Sequence, residues 1–170
     1  MQSGIEFFTA TCLNWQNLLT AEKHKQIVLG SLKFLVDEKR IWLYGYVIMP
    51  NHVHIIWRKQ DEWISKSIQQ QFLKYTAQQI KFNLIENFPE QLMNYESTQA
   101  DRVYHFWERR PYNATMLTRS ILEQKLDYIH YNPVKARLCL MAEDYEYSSA
   151  KFYLLGQNSN DILTHYMEHI

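Results

Sequence analysis

His52 and His54 are separated by one residue in the run His52-Val53-His54-Ile55-Ile56-Trp57. Alternate side chains of an extended chain leave the same face, so both imidazoles would emerge together, about 7 Å apart along a strand. Two nitrogen ligands at that spacing can share one metal ion. They can equally be two packed or surface histidines, which is the commoner use of such a pair. The preceding Met49-Pro50-Asn51 strengthens the metal reading, because it ends one strand abruptly and sets the pair at the start of the next.

A second constellation lies in Leu126-Asp127-Tyr128-Ile129-His130-Tyr131-Asn132-Pro133-Val134-Lys135-Ala136-Arg137-Leu138. On a helix Tyr128 and Asn132 stand at i and i+4 and share a face. A phenol can act as a nucleophile when its phenolate is favoured, and an amide oxygen suits a hard divalent cation. The competing use is plainer: Tyr128 at the rim of an apolar face and Asn132 ending the helix. His130, about 200° around the helix from Tyr128, is expected to be structural or to contact a bound ligand rather than to be catalytic. Arg109, Arg110, Lys135 and Arg137 form two short basic sites able to grip phosphates, or merely solvated surface. Arg58 and Lys59 invite the same two readings. Trp15, Trp107, Tyr112 and Tyr131 sit near loops and motif ends, where an aromatic ring either stacks on a base or packs inward. Gln69 to Gln71, with Gln78 and Gln79, make a helix face that is solvated or reads base edges.

Periodicity supplies the elements that must position these groups. Ile5 to Leu13 reads as a strand, and Ile27, Val28, Leu32, Leu35 and Val36 recur at helical spacing after a cap at Thr20. Ile41 to Ile48 and His52 to Trp57 form a hairpin around Met49-Pro50-Asn51. A long helix spans Trp63 to about Leu84, a polar mobile loop covers Glu86 to Asp101, and Val103 to Trp107 is expected as the next strand, with Tyr112 to Leu117 as its extension. A helix from Thr118 to about Tyr131 should stop at Asn132-Pro133. A short helix near Ser148 to Leu155 precedes a tail. The order β-α-β-β-α-β predicts an α+β protein: a ferredoxin-like antiparallel sheet with helices packed on one face.

At 170 residues the chain has the length of one domain, and 46% hydrophobic content with four Gly and four Pro excludes a disordered or fibrous chain. Lys plus Arg and Asp plus Glu both number 18, which argues against coating a polyanion by bulk charge. The aromatic share of 15% suits surfaces that stack on flat ligands. Cys12 and Cys139 are too few for a disulfide framework and read as buried thiols. The N-terminus lacks the pattern of a signal peptide and no window is apolar enough to span a membrane, so a cytoplasmic protein is expected.

Together, Tyr46-Val47-Ile48-Met49-Pro50-Asn51-His52-Val53-His54-Ile55-Ile56-Trp57 and Lys125-Leu126-Asp127-Tyr128-Ile129-His130-Tyr131-Asn132-Pro133-Val134-Lys135-Ala136-Arg137-Leu138 resemble the single-tyrosine HUH transposases, in particular the REP-associated tyrosine transposase branch. Other members commonly place Gln where Asn132 stands. Phe106-Trp107-Glu108 and Tyr147-Ser148-Ser149-Ala150 extend the likeness across nearly the whole chain. The resemblance implies a transposase domain over 1–155 followed by a tail over 156–170. It implies single-stranded or hairpin DNA as partner and a metal-dependent cleavage and rejoining of strands. His52, His54 and Asn132 would hold Mg²⁺ or Mn²⁺, and Tyr128 would form a 5′-phosphotyrosine bond. It also favours a monomer over a homodimer. A catalytically idle DNA-binding relative and an unrelated metal-dependent hydrolase using the histidine pair are the alternatives.

Overall fold

The β-branched and aromatic runs become strands. In the computed structural model, which describes residues 3–170, Ile5–Thr11 (β1), Ile41–Ile48 (β2), His52–Lys59 (β3) and Tyr112–Met116 (β4) form one sheet in the order β2-β3-β1-β4. Every neighbouring pair is antiparallel. Glu22–Asp37 (α1) connects β1 to β2, and Ile68–Asn87 (α2) lies between β3 and β4. This is the ferredoxin-like α+β arrangement the element order predicts.

Strand alternation divides the core in two. Phe8, Ala10, Val53, Ile55 and Trp57 pack with Val28, Leu32 and Leu35 of α1 and with Ile68, Phe72 and Ile80 of α2. Phe7, Val47 and Ile56 face the other way, against Leu122, Leu126 and Ile129. Those three belong to Arg119–Lys135 (α3), which follows the last strand and covers the sheet face that α1 and α2 leave open. Each large side chain buried there contributes roughly 1.5–3 kcal/mol, so α3 is held by its apolar stripe. His52 and His54 alternate with Val53 and therefore share the face of α3.

Gly45 sets how close α3 can come. A Cβ at this position would stand 2.6 Å from Leu126 Cδ2 and 3.3 Å from Ile129 Cδ1. Gly45→Ala should therefore lift α3 or force its side chains off rotamer, costing about 1–3 kcal/mol. A urea melt of the variant should show that loss; an unchanged midpoint would mean that α3 adjusts freely.

Several local expectations change. Val103 to Trp107 is not a strand: its backbone bonds alternate between Tyr95–Ser97 and Leu13, joining two loops instead of a ladder. The open edge of β1 is taken by Tyr112–Met116, the stretch expected only as an extension. The segment after α2 carries a 3-10 turn, Pro89–Tyr95, with Leu92 and Tyr95 buried, so its apolar residues tie it down. Ala21, not Thr20, caps α1, and α2 begins at Ile68, preceded by a 3-10 turn over Asp61–Trp63. Pro133 lies inside α3. It sits in the last turn, where it forgoes one i→i−4 bond, and the helix closes with the N–H groups of Ala136 and Leu138 donated to Asn132 and Pro133. Ala150–Leu155 (α4) matches the expected short helix. Residues beyond it lie along β2: Thr164 donates its N–H to Leu43 O at 2.9 Å, and Ile162 is buried. Cys12 is buried and Cys139 half-buried. Among the described residues, no helix is long and apolar enough to cross a membrane.

Candidate active site

β3 delivers the histidines and α3 delivers the tyrosine and the amide. The hairpin turn before His52 is pinned from outside, since Cys12 N–H donates to Asn51 O at 2.9 Å and Leu19 N–H to Pro50 O at 2.8 Å. Pro50, lacking an N–H, loses nothing there. The His52 and His54 rings meet edge-to-face at 4.7 Å between centroids, and the Tyr128 ring stands 5.4 Å from His54. Asn132 Nδ2 lies 3.4 Å from His54 Nε2. The continuation of α3 through Pro133 keeps Asn132 helical, one turn beyond Tyr128 on the same face. The histidine pair and the tyrosine motif, 74 residues apart by number, thus meet in one place.

Both imidazoles are oriented through Nδ1. His52 Nδ1 is 2.7 Å from Asn51 Oδ1, and His54 Nδ1 is 2.7 Å from the Thr9 hydroxyl across the β1–β3 ladder. Asn51 Oδ1 can only accept, so His52 carries its proton on Nδ1 and keeps the Nε2 lone pair. The same tautomer on His54 lets it donate to Thr9. Burial pushes His52 down to about 4, and burial, with the charges of His52 and Lys125, pushes His54 down to about 3. Both rings are therefore neutral near pH 7, as metal ligation requires. Rotating the Asn132 amide by half a turn would bring Oδ1 to the same spot. With the amide so turned, two imidazoles and one amide oxygen would form a donor set that fits a divalent cation of the Mn²⁺ type better than Mg²⁺. Among the described residues no cluster of three His, Cys, Asp or Glu side chains exists, and the amide of Asn132 is the polar group that stands against His54.

Thr9 was not legible as part of the site, because the register that pairs it with His54 is a tertiary fact. Thr9→Val keeps the shape and removes the hydroxyl, so metal affinity should fall about 10- to 100-fold. A Mn²⁺ titration of the variant followed by calorimetry checks this; affinity equal to wild type would discount the contact. Lys125 was also missed, although helical spacing places it three residues before Tyr128. Its ammonium lies 4.9 Å from the Phe7 ring centre and 5.5 Å from that of Tyr128, with no carboxylate at ion-pair distance among the described residues. It is a cation beside the phenol.

His130 points away from Tyr128, as its helical angle implies. It is buried and donates Nε2–H to Ser149 Oγ at 2.7 Å, while Ser149 Oγ accepts the Tyr46 N–H at 2.9 Å. Burial pushes His130 down to about 4. The group ties α3 to β2 and is structural.

Trp107 requires correction as a stacking residue. It is 5% exposed, packs in the α1/α2 core and donates its indole N–H to Thr76 Oγ1 at 3.1 Å, so no base can reach its face. The two apolar side chains Phe106 and Trp107 drew this segment inward. Tyr112 is exposed and edges onto Phe7, whose ring stacks on His54 at 5.6 Å, so it borders the site. Tyr131 is exposed on α3, and Lys135 and Arg137 are exposed at its end. Arg109 and Arg110 lie elsewhere. With Lys74, Lys81 and the glutamines Gln69, Gln70 and Gln78 they line an open groove of about 1540 Å³ between α2 and the 101–115 segment, on the sheet face away from Tyr128.

No family model matches the chain. A Haemophilus influenzae protein provisionally named REP-associated tyrosine transposase is 28% identical over 105 residues, covering 60% of this chain and 54% of that protein. The chain thus spans about half the length of that curated relative. The solved structure of the REP-associated tyrosine transposase bound to a REP hairpin superimposes with a TM-score of 0.64 over 88% of this chain and 78% of that one, at 18% identity. This is the fold of the REP-associated tyrosine transposases. Within that fold, the segments Phe106-Trp107-Glu108 and Tyr147-Ser148-Ser149-Ala150 have physical tasks here: the first closes the end of β1, and the second anchors His130 to β2.

Proposed function

We propose that this chain is a single-tyrosine HUH transposase of the REP-associated branch, a metal-dependent endonuclease and strand transferase acting on single-stranded, hairpin-forming DNA. The observation that carries the reading is the meeting of Tyr128 and Asn132 on α3 with His52 and His54 on β3. A Mg²⁺ or Mn²⁺ ion, held by His52, His54 and Asn132, would supply Lewis-acid polarisation of the scissile phosphate. Tyr128 gives its proton to water, and its oxygen forms a bond to phosphorus. The bond from phosphorus to the 3′-oxygen breaks, and that oxygen leaves as a 3′-hydroxyl after taking up a proton. A 5′-phosphotyrosine link remains, and attack by a 3′-hydroxyl reverses the step without ATP. Lys125 stabilises the negative charge that gathers as the phenol loses its proton.

All four side chains come from one chain, which supports a monomer as the active unit. The groove on the far face, with Lys74, Lys81, Arg109 and Arg110 outside any ion pair among the described residues, supports the paired stem of a hairpin. Incubating the protein with labelled single strands from the flanks of its own gene plus Mn²⁺ should produce a covalent, protease-sensitive adduct. Tight binding without any adduct would instead assign the idle DNA-binding reading. Mn²⁺ should support the reaction at least as well as Mg²⁺; a strict Mg²⁺ requirement would contradict the assigned ligand set.

A further inference from the structure

The outer end of the site is marked by Trp15. Its side chain is 62% exposed and stands edge-on to His52 at 6.1 Å between ring centres. It belongs to neither core cluster, so packing does not account for its place. The backbone beneath it is costly. Asn14 and Trp15 take φ of +54° and +55°, two successive non-glycine residues in the left-handed region. Four bonds hold that turn: Asn14 N–H to the Glu108 carboxylate at 2.7 Å, Trp15 N–H to Cys12 O at 2.9 Å, Gln16 N–H to Leu13 O at 3.1 Å, and the Gln16 side-chain Nε2–H to Asn94 O at 2.9 Å. Glu108 is itself fixed by its N–H to Thr11 O at 2.7 Å. A strained, well-anchored turn that presents a large flat ring to solvent beside a candidate metal ligand has the form of a stacking platform.

Its position assigns the base. The rings run in series from Tyr128 to His54, His52 and Trp15, so nucleophile and indole stand at opposite ends of the histidine pair. In-line displacement places entering and leaving oxygens on opposite sides of phosphorus. Resting on the tyrosine-nucleophile reading, we propose that Trp15 stacks on the base of the nucleotide on the 5′ side of the scissile phosphate, the one that departs with the new 3′-hydroxyl. The stack keeps that strand at hand while phosphorus is bonded to Tyr128, so that its 3′-oxygen can attack, re-form the phosphodiester and return the phenol.

The test uses full-length wild type, Trp15→Ala and Trp15→Phe with strands intact or carrying one abasic nucleotide 5′ or 3′ of the cleavage point. DNA affinity is measured in a Tyr128→Phe background, and adduct formation and the rejoined fraction in the active one. Trp15→Ala should keep the melting temperature and adduct formation at saturating DNA, bind roughly tenfold more weakly, and rejoin a smaller fraction. Trp15→Phe should recover most of both losses. A 5′-abasic strand should impose the same defect on wild type and add nothing to Trp15→Ala, whereas a 3′-abasic strand should affect both proteins equally. Equal affinity and rejoining by wild type and Trp15→Ala on intact DNA overturn the stacking, as does a defect that follows the 3′ base. The wild-type adduct separates the two levels: its formation alongside unaffected Trp15 variants sinks the stacking alone, and its absence sinks the nucleophile reading and this inference with it.

Discussion

Tyr128→Phe is expected to bring adduct formation and strand cleavage to background, a loss of at least about 10⁴-fold, because the reaction then has no oxygen with which to attack phosphorus. The substitution removes one atom from a ring that is half exposed and edges against His54. Folding stability should therefore stay within about 0.5 kcal/mol of wild type. Affinity for hairpin-bearing strands should persist as well, since the basic groove lies on the other sheet face. Those two retained properties separate loss of the nucleophile from loss of the fold. If the Phe variant still cleaved, water would be the attacking group and a metal-dependent hydrolase would be the better description.

His52→Ala should lower cleavage by at least about 10²-fold at fixed Mn²⁺, with part of the loss recovered as the ion is raised. His52 suits this test better than His54. It is only half-buried, whereas His54 is 4% exposed, stacked on Phe7 and bonded to Thr9, so His54→Ala would also open a cavity against Phe7. The expected signature is a rightward shift in the Mn²⁺ dependence of adduct formation with an unchanged melting temperature. Wild-type protein stripped of metal by a chelator should lose the reaction and regain it on adding Mn²⁺. Cleavage by His52→Ala at the wild-type rate in a chelator would remove the ion from the mechanism.

The parts of the site that local periodicity governs were legible. Alternation along β3 places His52 and His54 on one face whatever the sheet does with them, and the helical repeat places Asn132 one turn after Tyr128. The hairpin around Pro50 was equally plain, since strong strand formers flank a residue that cannot donate to a ladder. Errors arose where two segments competed for one partner. Val103 to Trp107 and Tyr112–Met116 both carry strand-forming residues, and only the assembled molecule shows that Phe106 and Trp107 are needed in the α1/α2 core while the weaker stretch closes the open edge of β1. The same competition took Trp107 out of reach of DNA and left Trp15, with its left-handed backbone, standing beside His52.

By itself the sequence determined which groups share a strand or a helix face, because covalent spacing and secondary-structure period are local properties. The tertiary structure decided which faces meet. Docking α3 on the sheet surface opposite α1 and α2, through Leu122, Leu126 and Ile129 and the close approach at Gly45, carried Tyr128 to His54. Cross-strand register paired Thr9 with His54, and the burial that results keeps both imidazoles neutral. Such long-range contacts depend on the summed apolar packing of the whole chain, which no short motif encodes.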